Sequence, residues 1–392
     1  MKNAIYTISY GTLMGLMACQ APQAENKINP LDPPQTETVE TNVKRTRKIQ
    51  LAILLDTSGS MNGLIEQTKN QLWQIVNQLA LAKDEDGNDP EIELALYQYG
   101  NDGLNVLNGY VQQISGFTTE LDEISEQLFA LHTNGGSEFC GTVIQNALEN
   151  LEWSDSSDDL HMVFIAGNEE FTQGLVDFRK ACQNAVDQEV IVNTIFCGNY
   201  DTGVRTYWKD GADIALGKYM NIDHNDQIRH IESPYDQELS QLNIKLNDTY
   251  IPYGTYGATK KEKQIREDAN ASSLGSANAA KRYISKGGKV YKNSSWDLVD
   301  ASDRKDFDIQ KIKQLPPEMR AMTDEEKLVY IQKLKTERNR IQSEITALSK
   351  KRKVFVAEEK LKDVSSTTAQ LEDVMVQAIV LQAESKSFYF EQ

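Results

Sequence analysis

The chain lacks the basic excess that a nucleic-acid surface needs. It carries 41 Lys and Arg against 58 Asp and Glu, a net charge of −17 at pH 7, whereas phosphate binding works by counterion release at a basic face. Cysteine is scarce, at four residues, and no two stand at Cys-x-x-Cys spacing. That argues against a zinc ribbon or a thioredoxin-like redox pair. The four histidines, His132, His161, His224 and His230, form no His-x-x-x-His or Glu-flanked zinc pattern. There is no Gly-x-Ser-x-Gly elbow for a serine nucleophile. The run from Gly211 to Gly217-Lys218 is one residue too long for a phosphate loop, and Tyr219 stands where Ser or Thr is required. A hydrolase is thus left without an assembled nucleophile, base and stabiliser, and the chain is expected not to be an enzyme.

What is present is an ordinary globular composition, 40% apolar and 25% charged over 392 residues, enough for about two domains. The stretch from Ala4 to Met17, after Lys2, is too short for a membrane span and has the form of a secretory signal. Leu16-Met17-Ala18-Cys19 is similar to a bacterial lipoprotein processing site, which predicts a signal peptide over 1–18 and a lipid on Cys19. Residues 19–47 hold Pro22, Pro30, Pro33 and Pro34 and few apolar side chains, the composition of a tether. The expected location is therefore the bacterial cell envelope, lipid-anchored, facing the periplasm or the cell surface. Outside the cytoplasm, Cys140, Cys182 and Cys197 either stay small and buried or form one disulfide among them.

The segment from Ile49 to Met61, Ile-Gln-Leu-Ala-Ile-Leu-Leu-Asp-Thr-Ser-Gly-Ser-Met, carries the most chemistry. Its unbroken apolar run reads as a strand buried on both faces. Leu64, Leu72, Ile75, Val76 and Leu79 then recur at helical spacing, which places Asp56, Ser58 and Ser60 in a strand-to-helix turn. One carboxylate and two hydroxyls suit a hard divalent cation and leave coordination positions open. Ligands gather at the carboxyl ends of strands in open α/β sheets. Further strands are expected at Glu91–Gln98, Tyr110–Ile114, Met162–Ala166, Val190–Phe196 and Lys218–Asp223, with amphipathic helices between most of them. The fold class is α/β, a doubly wound, mostly parallel sheet, followed by a charged, mainly helical C-terminal region.

The order of parts resembles the von Willebrand factor type A domain, whose metal-ion-dependent adhesion site begins with Asp-x-Ser-x-Ser after the first strand. The resemblance covers residues 48–253. It implies metal ligation by Asp56, Ser58 and Ser60, and by Ser137 in the Gly135-Gly136-Ser137 loop, with Glu138 as a substitute. The later strand of such domains usually ends in Thr-Asp-Gly. Here Ala166-Gly167-Asn168-Glu169 puts glycine in the acid's place, leaving Asn168 or Glu169 to supply an oxygen. The implied cofactor is Mg²⁺ or a similar divalent cation, and the implied partner is a protein presenting a carboxylate. A metal-independent scaffold with a degenerate site is the alternative. Several stretches, including Trp208-Lys-Asp-Gly-Ala and Trp296-Asp-Leu-Val-Asp-Ala, look like those of uncharacterised bacterial lipoproteins with this domain. Residues 254–305 read as a polar linker or docking segment. Residues 306–392 read as a helical region whose near-heptad, Ile331, Leu334, Ile341, Ile345 and Leu348, is broken by Arg338.

Overall fold

The computed structural model describes residues 45–222, 231–362 and 371–390. The signal segment, the tether up to residue 44, Cys19, His224 and His230 lie outside the described residues. The strands are β1 (Lys48–Asp56), β2 (Ala82–Lys83), β3 (Glu91–Tyr99), β4 (Val111–Thr118), β5 (Leu160–Gly167), β6 (Val190–Cys197), β7 (Tyr219–Ile222) and β8 (Tyr389–Phe390). Six of them form one sheet in the order β4-β3-β1-β5-β6-β7, parallel except for the β3–β4 pair. A two-residue ladder joins β2 to β8.

The helices are α1 (Asn62–Leu79), α2 (Leu121–Ala130), α3 (Cys140–Asn150), α4 (Phe178–Asp187), α5 (Tyr200–Arg205), α6 (Trp208–Ile214), α7 (Asp236–Asn247), α8 (Gly257–Ser273), α9 (Ser276–Gly287), α10 (Leu298–Ala301), α11 (Asp324–Lys362) and α12 (Leu371–Ser385). Strand residues alternate between two cores. Leu51, Ile53 and Leu55 of β1, with Met162 and Phe164 of β5, face a cluster built with α1, α2, α7, α9, α11 and α12. Ala52, Leu54, Val163 and Ile165 face the opposite cluster, built with α3, α4 and Trp208 of α6. Burial on both faces is why these strands read as continuous apolar runs instead of alternating ones.

Residues 257–287 form α8 and α9, a docked segment in which α9 packs into the first core beside α1 and α7 while α8 packs against α2 and α9. Their polarity is internal. Arg282 is fully buried, with Nη1 donating to Asp122 Oδ1 at 2.7 Å and Nε to Asp268 Oδ1 at 2.7 Å. Its guanidinium lies 4.7 Å from the Trp73 ring centre. Lys286 Nζ donates to Asp268 Oδ2 at 2.7 Å, and Tyr291 Oη donates to Asp122. A buried face of mutually paired charges has the composition of a solvated one, which hid these helices from a hydropathy reading.

The C-terminal helices brace the same face, α11 across α7, α9 and α10, and α12 against α1 and β7. Arg338, the break in the heptad, is buried on α11. Its Nη1 donates to Asp297 Oδ2 and Asp300 Oδ1, each at 2.7 Å, and its guanidinium sits 4.0 Å from the Tyr250 ring centre. Among the described residues no helix is long and apolar enough to cross a membrane.

Candidate metal centre

The centre lies at the carboxyl edge of the sheet, where β1 pairs with β3 on one side and β5 on the other. Asp56 is opposite Tyr99, and Leu55 is opposite Ala166. The direction of winding reverses at β1, since the chain passes from β1 out to β3 and β4 on one side and returns to β5, β6 and β7 on the other, and this opens a crevice there. Asp56 is fully buried and accepts the Ser58 backbone N–H on Oδ1 at 2.7 Å. Its Oδ2 is buried with no hydrogen-bond partner. A buried carboxylate oxygen left bare is costly unless a cation meets it.

Four loops close around this oxygen. Thr57 N–H donates to Tyr99 O at 2.8 Å, and Thr57 O accepts Asn134 N–H at 3.0 Å. Asn101 Nδ2 ties Thr57 O to His132 O, at 3.3 and 3.0 Å. Gly100 has φ +76°, and a Cβ there would lie 2.7 Å from Asp56 Oδ1 and 2.9 Å from Glu138 Cγ. Only glycine lets the backbone pass so close to two carboxylates. Glu138 is 6% exposed, and its Cγ shares the space beside Gly100 with Asp56 Oδ1. Ser58 Oγ lies 3.1 Å from Ser60 Oγ, which donates to Asn168 Oδ1 at 3.1 Å.

Two acids, two hydroxyls and an amide oxygen therefore converge, namely Asp56, Glu138, Ser58, Ser60 and Asn168. Burial foremost, then the charges of Glu138 and Glu169 opposed by Ser58 hydrogen bonds, pushes the Asp56 carboxyl up to about 8. Burial, followed by the Glu169 charge, raises the Glu138 carboxyl as well. A divalent cation would relieve both effects, so the donor set fits one. Ser137 sits half-buried one residue before Glu138, and no hydrogen bond draws it to Asp56, Ser58 or Ser60 among the described residues. Among the described residues no group of three or more His, Cys, Asp or Glu could hold a metal, so an ion here would need other oxygens beside the two carboxylates.

The absent acid at position 167 has a steric cause. A Cβ on Gly167 would lie 2.6 Å from Tyr99 Oη and 2.9 Å from Trp208 Cη2. Trp208 Nε1 donates to Glu169 O at 2.7 Å, which fixes the turn after β5. Asn168 leaves that turn toward Ser60, while Glu169 stays exposed at the rim. The part played by Trp208 was not foreseen, because it belongs to a short helix that apolar periodicity does not mark. Cys140, Cys182 and Cys197 are all buried and unpaired, which is the first of the two alternatives, small buried side chains and not a disulfide. They lie on α3, α4 and β6 as small core side chains, and burial drives their thiols upward, Cys182 to about 12.

The von Willebrand factor type A domain family matches residues 50–205. This chain carries a von Willebrand factor type A domain. Among solved structures, the SpRpn10 type A domain is similar at 18% identity and a TM-score of 0.34, covering 46% of this chain and 90% of that one. BatB from Bacteroides thetaiotaomicron is similar at 13% identity and a TM-score of 0.35, covering 50% and 97%. Proximal thread matrix protein 1 from the mussel byssus, with a zinc occupied MIDAS motif, is similar at 10% identity and a TM-score of 0.33, covering 46% and 43%. None of these is close enough to carry its own ligand or partner to this chain. Among curated proteins nothing matches the chain. The sheet continues past the matched span, since its edge strand β7 lies beyond residue 205.

Proposed function

We propose that the type A domain is a protein-binding module whose divalent cation, Mg²⁺ or a similar ion, sits on Asp56, Ser58, Ser60, Glu138 and Asn168. A carboxylate from a partner protein completes the ion's shell. The observation that carries this reading is the buried Asp56 Oδ2, which no protein donor meets, on a carboxylate that shares the space beside Gly100 with the Glu138 side chain. Such domains usually divide their two acids between the first and the later loop. Here the second acid comes from position 138 and the later loop contributes a neutral amide. Two carboxylates balance a divalent charge, so the ion is held by the chain while an open position keeps affinity for an outside oxygen.

The chain is proposed to work from the bacterial cell envelope, tethered by a lipid on Cys19 at the end of the Pro-containing segment. Hydrolysis is disfavoured by the geometry of the Ser154, His161 and Asp159 cluster. Ser154 Oγ lies 2.9 Å from His161 Nε2 and also donates to Asp159, so the carboxylate orients the serine and leaves His161 Nδ1 without a partner. A relay needs the imidazole in the middle.

Calorimetric titration of the chain from residue 20 onward with Mg²⁺, Mn²⁺ and Ca²⁺ tests the reading. One ion per chain is expected for the wild type, with none for Asp56→Ala at unchanged circular dichroism. Absence of all three titrations in the wild type would leave a metal-independent scaffold, whose partner binding survives EDTA.

A further inference from the structure

The metal centre has an apolar shoulder that the fold itself does not use. Phe139, directly after Glu138, is clasped from two sides. A Cβ on Gly109 would lie 3.5 Å from Phe139 Cδ2, and one on Gly174 would lie 2.8 Å from Phe139 Cγ. The Tyr110 ring meets Phe139 edge-on, with centroids 5.8 Å apart. Phe139 therefore holds the loop after β3 and the loop after β5 beside the centre. Next to those two glycines the loops raise Val106, Leu107 and Leu175, which are 59%, 89% and 102% exposed.

Local structure does not require these apolar side chains. The turn at Val106–Asn108 is closed by Asn105 Oδ1, which accepts Leu107 N–H at 2.9 Å, and by Gly109 in the left-handed region. Isolated exposed leucines are common. Here they stand on two loops joined through one ring, beside a ligating residue. The surrounding exposed side chains include the acids Asp102, Glu169, Glu170 and Asp177.

We propose that this rim docks a protein segment with one carboxylate directed at the ion. An aliphatic or aromatic neighbour of that carboxylate lies against Leu107 and Leu175, and basic residues farther out meet the acid ring. Charge complementarity selects this composition, because a polyacidic segment would gain one metal contact and be repelled by the four exposed carboxylates. The inference rests on the metal reading above, and it adds the chemistry of the partner.

The test pans a phage-displayed library of random twelve-residue peptides on the chain from residue 20 onward in Mg²⁺, with elution by EDTA. The expected pool carries Asp or Glu with Leu, Ile or Phe within two positions and Lys or Arg beyond. Synthetic peptides from it should bind the Leu107→Ser, Leu175→Ser double variant at least tenfold more weakly, while that variant titrates Mg²⁺ like the wild type. EDTA-eluted peptides without an apolar neighbour, or peptides bound equally by the double variant, would overturn the rim and leave the metal reading standing. So would a chain that titrates Mg²⁺ yet enriches no peptide. Peptides that enrich equally in EDTA, or a chain that titrates no cation, would overturn both.

Discussion

Trp208 occupies the space that a side chain at residue 167 would need, its Cη2 lying 2.9 Å from the position of a Cβ there. The same indole donates to Glu169 O at 2.7 Å and meets the Phe171 ring with centroids 4.7 Å apart. One residue thus excludes the usual acid and shapes the turn that brings Asn168 to Ser60. Neither Tyr99 nor Trp208 can retreat, because both are fully buried in the second core. Gly167→Ala is expected to cost about 1–3 kcal/mol by overpacking, and Gly167→Asp is expected to cost more without gaining metal affinity. Urea unfolding and Mg²⁺ titration of the two variants check this. A Gly167→Asp chain that unfolds like the wild type would contradict it.

In the proposed site the second acid is Glu138, not a residue of the loop after β5. Glu138→Gln keeps the shape and removes one of two carboxylates, so the Mg²⁺ dissociation constant should rise at least tenfold, about 1.4 kcal/mol. Ser137→Ala removes a hydroxyl that no contact draws to Asp56, Ser58 or Ser60, and its effect should stay under threefold. Side-by-side calorimetry decides between the two positions. A larger loss for Ser137→Ala would return the third loop's ligand to the hydroxyl.

Much of this was legible in the sequence where burial and periodicity agree. The runs ending at Asp56 and at Gly167 announced strands buried on both faces, and Asp56, Ser58 and Ser60 announced an oxygen site at the tip of the first. Hydropathy is silent on charges buried in pairs, so the sequence of α8 and α9 fits a polar linker as well as a docking segment, although Arg282 and Lys286 are fully buried. Spacing is also silent on tertiary replacement. Nothing near Gly167 in the chain reveals that an indole 41 residues later fills its side-chain volume. Likewise, spacing does not say which way the loop turns its side chains, and here Glu138 is buried while Ser137 is half-buried.

The buried network predicts the protein's acid response. Burial alone would raise the Asp268 carboxyl, but Lys286 and Arg282, with hydrogen bonds from Asn247 and Lys286, outweigh it and hold it well below the usual carboxylate range. A carboxyl depressed in the folded state stabilises the fold above its unfolded value of about 3.9, and that stabilisation fades as pH falls below it. Asp268→Asn should therefore cost about 3–5 kcal/mol at pH 7 by leaving buried cations underpaired. The variant should also lose part of the wild-type decline in stability between roughly pH 5 and pH 3. Urea midpoints measured across that range check both effects. Parallel declines in wild type and variant would show that Asp268 is not the group responsible.

The boundary drawn at residue 253 is a further point that the structure makes testable. A fragment of residues 48–253 keeps every side chain proposed to hold the ion, yet it loses α8, α9, α11 and α12, which cover one face of the sheet. Removing them uncovers Trp73, Leu72 and Ile75 of α1 and deprives Asp122 of Arg282 and Tyr291. At about 25 cal/mol per Å² of apolar surface, baring several such side chains costs an amount comparable with the whole stability of an ordinary domain, about 5–15 kcal/mol. The fragment should aggregate or bind a hydrophobic dye strongly, whereas residues 45–392 should not. Size-exclusion chromatography and dye fluorescence at equal concentration provide the comparison. A monomeric, dye-silent fragment that still titrates Mg²⁺ would show that the C-terminal helices are an attachment to the sheet and not part of its core.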